Sequence, residues 1–119
     1  MSRDASATAP GACLFVYGTL RRGRRNRYAC LLARSSEFAG RARLPARLYR
    51  LKPYPGLILQ AKPGEWVEGE LFKLKDARRL FSVLDCYEGS EYRRVRTMAV
   101  TESRRRVRCW VYELRETAA

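Results

Sequence analysis

Apolar residues along this chain fall into short runs and periodic stripes, separated by glycine- and proline-marked breaks. Cys13, Leu14, Phe15, Val16 and Tyr17 form one continuous run that stops at Gly18. A run this short and this β-prone predicts a strand buried on both faces. Residues 18–23 predict a loop. A short helix over about 26–34 is expected next, because Tyr28, Leu31 and Leu32 keep i, i+3, i+4 spacing and Asn26 is placed to cap it. From 36 to 51, Phe38, Leu44, Leu48 and Leu51 stand among polar residues, which predicts extended structure interrupted at Gly40 and Pro45. Pro53, Tyr54, Pro55 and Gly56 predict a turn, 57–59 a short strand, Pro63 and Gly64 a second turn, and 67–74 a further strand.

The clearest periodic segment comes next. Asp76 is a natural N-cap, Ala77, Leu80, Phe81 and Leu84 mark one helical face, and Gly89 is suited to end the helix. Two strands close the chain, Tyr92 to about Thr101 and Val107 to Leu114, joined by an arginine-rich hairpin over 102–106. Strands outnumber helices and come in runs, without regular βαβ alternation. This predicts an α+β domain with a mostly antiparallel sheet able to close into a barrel. Residues 1–12 and 116–119 read as tails around a single domain over 13–115.

Composition narrows the chemistry. The 119 residues include no histidine, which excludes histidine bases, Ser-His-Asp and Cys-His nucleophilic sites and histidine-ligated metals. No apolar run approaches the roughly 20 residues of a membrane span, so no membrane partner is expected. The net charge is +13, with 21 Arg and four Lys. Such charge suits polyanions. The arginines are spread along the whole chain, however, and no nucleic-acid motif accompanies them, so general solubilisation is the expectation and nucleic acid is not an expected partner. Cys13, Cys30, Cys86 and Cys109 are widely spaced and contain no C-x-x-C pair. They read as buried reduced thiols, with no metal and no cofactor. The first residues lack the apolar core of an export signal, which points to the cytoplasm. Oligomeric state is not legible in the sequence.

Two features carry candidate chemistry. Extending the stripe 77, 80, 81, 84 by four reaches Glu88, a carboxylate at a core-facing position and at the negative end of the helix dipole. Burial and dipole both disfavour its charged form, and an elevated pKa suits a general acid/base near neutral pH. The competing reading turns Glu88 to solvent or pairs it with Arg93 or Arg94. The second feature is Tyr17, Gly18, Thr19 and Leu20, a strand end that can bend sharply and leave main-chain N–H groups to hold an oxyanion. Here the competing reading is an ordinary turn. Tyr17, Tyr87, Tyr92 and Tyr112 could line a pocket or simply pack in the core.

Together these segments resemble the gamma-glutamylcyclotransferase-like (AIG2-like) family. The family opening, (V/A)YG(T/S)L and then a glycine and a short helix, is matched by residues 14–23. Its YP turn is matched by Tyr54, Pro55, Gly56 and Leu57, and its V-x-G-E strand by residues 67–72. The LD-x-YEG…YRR block is matched by residues 84–89 with Tyr92, Arg93 and Arg94, and the last strand by Val111 and Tyr112. Where members often have Asn-His before the helix, Asn26 is followed by Arg27, and only Ser90 and Glu91 separate Gly89 from Tyr92. The resemblance implies a small mixed, mostly antiparallel β-barrel flanked by short helices, with one pocket at the barrel mouth. It implies that Glu88 is the catalytic acid/base and that residues 17–20 cradle a small-molecule gamma-glutamyl substrate through main-chain amides. For such a substrate we expect Tyr92 and Tyr112 as the walls of the pocket, and Arg93 or Arg94 either pairs with its α-carboxylate or only decorates the surface. The implied reaction is intramolecular closure to 5-oxoproline with release of an amine or amino acid. The alternatives are a non-catalytic small-molecule binder of the same fold and a basic nucleic-acid-associated protein.

Overall fold

In a computed structural model of the chain, the structure describes residues 12–17, 27–49, 56–59 and 62–115. Five strands close into a barrel in the order β1, β5, β2, β6, β7. They are β1 (Cys13–Val16), β2 (Ser36–Pro45), β5 (Trp66–Leu74), β6 (Tyr92–Thr101) and β7 (Arg106–Leu114). All ladders are antiparallel except β1 with β7, where Leu14 pairs parallel with Trp110 and completes the ring. A separate ribbon joins β3 (Arg47–Tyr49) to β4 (Gly56–Ile58). The helices are α1 (Arg27–Arg34) and α2 (Ala77–Glu88). The mixed barrel with two short helices agrees with the sequence expectation. Residues 18–26, which carry the predicted loop and Asn26 cap, and 53–55 of the predicted turn lie outside the described residues.

Side-chain alternation splits the core into two layers. Phe15 of β1 points into the barrel with Leu44, Leu71, Ala99, Cys109 and Val111. Its neighbours Leu14 and Val16 point the other way and meet Leu32 of α1 and Ala77, Leu80, Phe81 and Leu84 of α2. Each fully buried Leu or Phe here contributes roughly 1.5–3 kcal/mol of transfer free energy. One ladder position tolerates no side chain. A Cβ on Gly69 of β5 would lie 2.4 Å from the Val16 carbonyl oxygen and 2.5 Å from the Phe15 ring. Glycine there lets the end of β1 press against β5. The predicted break at Gly40 is a bulge within β2, where the register with β5 shifts and Gly40 has φ 110°.

The cysteine expectation needs correction. Cys109 is buried and Cys13 half-buried, but Cys30 and Cys86 are exposed. Cys86 sits two residues past Leu84, about 200° around the helix from the buried stripe, so apolar sequence neighbours did not bury it.

Candidate active site at the end of helix α2

Asp76 caps α2 by accepting from the Arg79 N–H at 3.4 Å, which sets the helical phase. From that start the stripe Ala77, Leu80, Phe81 and Leu84 seats α2 on the barrel, and Glu88 emerges one turn later at its last position. Gly89 stops the helix with φ 83° and ψ −179°, a region essentially reserved for glycine, while its N–H still donates to the Asp85 carbonyl at 3.1 Å. The chain turns at once into β6 at Tyr92.

Glu88 is half-buried. Burial first, and the nearby Asp85 charge second, push its carboxyl up from 4.5 to about 7. Among the described residues no basic side chain offsets these effects. The two arginines that could have paired with it are engaged elsewhere. Arg94 grips Asp85 through both carboxylate oxygens, at 3.0 and 3.2 Å, and lies 3.9 Å over the Phe81 ring. Arg93 donates to Glu113 at 3.1 Å.

Two tyrosines lie within electrostatic reach of this carboxyl. The Tyr17 hydroxyl, just past β1, donates to the Tyr112 carbonyl at 2.7 Å and accepts from the Leu57 N–H at 3.2 Å. The Tyr112 hydroxyl donates to Asp85 at 2.5 Å. Burial raises both phenols far above their ordinary pKa, and the Glu88 charge raises each further, so all three groups share one electrostatic neighbourhood. Both hydroxyl protons are committed inside the protein. Tyr17 and Tyr112 therefore act as struts, with Tyr112 only 4% exposed. Tyr92 is half-buried at the start of β6, within electrostatic reach of Tyr17. The candidate residues Gly18, Thr19 and Leu20 lie outside the described residues. The strand leading to them ends beside the Glu88 neighbourhood through Tyr17.

Sequence reasoning passed over two carboxylates. Asp85 anchors the Arg94 and Tyr112 side chains, as above. Glu113, only 6% exposed, accepts from the Leu59 N–H at 2.9 Å as well as from Arg93. With Tyr17 it fastens β4 to β7. Its signal was its spacing: Glu113 continues the inward positions Cys109 and Val111 along β7. Among the described residues, no group of three or more acids and cysteines could hold a metal, and no helix is long and apolar enough to cross a membrane.

A closed five-stranded barrel with a carboxyl-bearing helix end against its rim defines the architectural class. The family model described as gamma-glutamyl cyclotransferase, AIG2-like, matches residues 14–119, and the chain belongs to that family. An AIG2-like protein from Mus musculus is 28% identical, with a TM-score of 0.71 over 92% of this chain and 81% of the mouse chain. A protein from Arabidopsis thaliana solved in solution is 25% identical, with a TM-score of 0.70 over 97% of this chain and 76% of that one. YkqA from Bacillus subtilis shares the fold at 21% identity, with a TM-score of 0.71 over 90% of this chain; the match spans 37% of the Bacillus chain. A search of curated proteins finds no match.

Proposed function

We propose that this chain catalyses a gamma-glutamyl cyclotransferase reaction, in which the α-amine of a gamma-glutamyl amide attacks its own γ-carbonyl and releases 5-oxoproline and a free amine or amino acid. The observation that carries this reading is Glu88, a half-buried carboxyl whose proton affinity sits at about 7 and which has no cation to neutralise it among the described residues. Family membership supplies the reaction class.

The chemistry needs one shuttling acid/base. The Glu88 carboxylate takes a proton from the substrate ammonium. The freed amine nitrogen bonds to the γ-carbon, and the carbonyl oxygen becomes an oxyanion. Glu88 then returns its proton to the departing nitrogen as the old C–N bond breaks and the carbonyl reforms, and the second proton shed by the attacking nitrogen passes to the released amine, which leaves as its ammonium ion. A pKa near ambient pH lets one group serve both transfers. Main-chain donors of Gly18, Thr19 and Leu20 are the proposed oxyanion contacts, each worth about 3–4 kcal/mol in such sites. Holding the substrate in a ring-closing conformer can supply about 7–11 kcal/mol, with Tyr92 as the proposed wall and Tyr17 and Tyr112 as its supports.

The test is 5-oxoproline release from a panel of gamma-glutamyl amino acids and gamma-glutamyl amines. The parent protein is expected to turn over at least one of them, and Glu88→Gln to release none while keeping the parent's circular dichroism. Full activity in Glu88→Gln removes Glu88 from the mechanism. No turnover of any panel member by the parent defeats the reading.

A further inference from the structure

The fold gathers on one wall the arginines that the sequence scatters. Residues opposite each other on β6 and β7 share a face, and Ala99, Cys109 and Val111 fill the inner one. The outer face therefore presents Arg96 opposite Trp110, Met98 opposite Arg108 and Val100 opposite Arg106. Across the next ladder Val100 pairs with Arg43 of β2, and one strand further Pro45 pairs with Trp66 of β5. Arg43, Arg96, Arg106 and Arg108 are all exposed, and Arg104 and Arg105 extend the charge around the hairpin turn.

No acidic residue occupies an outward position of β6 between Arg94 and Val100, or of β7 between Arg106 and Tyr112. Acids mark its edges: Glu102 is exposed in the hairpin turn, and on β5 Glu68 faces Arg43 and Glu70 faces Arg41. The patch thus has a border. Flat apolar surface is interleaved with the charge. Trp66 is 40% exposed with the Arg43 guanidinium 4.3 Å from its ring centroid, and Met98 is 43% exposed. Trp110 carries Arg96 at 5.1 Å and Arg94 at 4.8 Å. Along one strand, alternate side chains are spaced about 7 Å apart, and neighbouring strands about 5 Å, so the guanidinium groups form a grid.

We propose that the outer wall of β2, β6 and β7, with Trp66 at its margin, is a docking surface for single-stranded nucleic acid. Guanidinium groups in a row neutralise successive phosphates, and exposed aromatic and guanidinium planes give unpaired bases something to stack on. The wall offers no helix to enter a duplex groove, since α1 and α2 pack on the layer built from Leu14, Leu32 and Phe72. The wall adjoins the Glu88 neighbourhood through Trp110, whose ring meets the Arg94 that grips Asp85, but none of the arginines substituted below belongs to the proposed cyclotransferase site, so the binding assay tests this proposal independently of that reading.

The experiment measures fluorescence anisotropy of a labelled, mixed-sequence RNA of about 16 nucleotides, a site size typical of strand-binding barrels, between about 50 and 200 mM salt. Three proteins are compared: the parent, Arg96→Gln/Arg106→Gln/Arg108→Gln, and Arg34→Gln/Arg78→Gln/Arg79→Gln, which removes the same charge from the helices. Thermal melting confirms that all three fold. The wall variant is expected to bind at least tenfold more weakly, with its log–log salt slope shallower by about 2. The helix variant is expected to stay within about twofold of the parent, and Trp66→Ala to lose about fivefold or more. No binding by the parent, equal losses in the two triple variants, or equal competition by a duplex or by inorganic polyphosphate would each overturn the proposal.

Discussion

The Tyr112 hydroxyl donates to Asp85 at 2.5 Å and so fixes a carboxylate one helical turn ahead of Glu88. Arg94 holds the same carboxylate from the other side through two hydrogen bonds. Asp85 is therefore a stationary charge, and it acts on Glu88 in the same direction as burial. Asp85→Asn deletes that charge and leaves burial, the larger cause, in place. The acidic limb of kcat/KM against pH is expected to move down from about 7, part of the way toward 4.5. Carbon NMR of the labelled Glu88 carboxyl checks the same shift without turnover. A limb that stays put or moves up contradicts the arrangement.

Glu88 also has a stability consequence with a definite sign. The folded chain keeps the Glu88 proton up to about pH 7, whereas an exposed glutamate releases it near 4.5. Below about pH 4 both states are protonated and the burial carries no ionisation penalty. Between 4.5 and 7 the unfolded state ionises first, so the native state loses stability as pH rises, and above 7 the loss is complete. The interval bounds the effect at about 3 kcal/mol, and partial exposure reduces it to about 1–2 kcal/mol. Glu88→Gln removes the penalty. Its melting temperature is expected to exceed that of the parent at pH 8 and to match it at pH 4. A variant no more stable at pH 8 shows that Glu88 is solvated.

What the sequence revealed and what it hid divide along local and non-local lines. The run at 13–17, the stripe 77, 80, 81, 84 and the stop at Gly89 each depend on neighbouring residues, and all were legible. Glu88 was legible for the same reason, since its place follows from the period of one helix. The ring closure between Leu14 and Trp110 depends on register between distant strands, which no local pattern encodes. The partners of Asp85 stayed hidden likewise, because Arg94 and Tyr112 reach it only once α2 lies against β6 and β7. Cys30 and Cys86 were misread because apolar neighbours in sequence were taken for burial, where helical phase decides.

Gly69 offers a test of how β1 is held. A methyl group at this position meets the Val16 carbonyl and the Phe15 ring within 2.5 Å, and neither the backbone nor a ring 1% exposed has room to retreat. Gly69→Ala is expected to cost about 2–4 kcal/mol, visible as a lower denaturant midpoint with an unchanged slope. Because the displaced carbonyl belongs to the residue before Tyr17, the Tyr17–Leu57 hydrogen bond is expected to weaken as well. Faster amide exchange at Leu57 than at Val111 would report it. Unaltered stability would mean that β1 and β5 are further apart than the geometry requires.

Gly89 separates the placing of Glu88 from stability at large. With φ 83° and ψ −179°, it occupies backbone space that an alanine enters only at a cost of about 1–3 kcal/mol. Relieving that strain would rotate the end of α2 and the start of β6, carrying Glu88 and Tyr92 with it. Gly64, with φ 88°, sits in the turn before β5 and away from these groups, and nothing lies within 4 Å of a Cβ built there. Gly64→Ala is thus expected to lower stability by about 1–2 kcal/mol through conformation alone. Measured well below both melting temperatures, cyclotransferase kcat is expected to fall tenfold or more in Gly89→Ala and to stay within twofold of the parent in Gly64→Ala. Equal kcat in the two variants would mean that the glycine turn after α2 does not position the carboxyl.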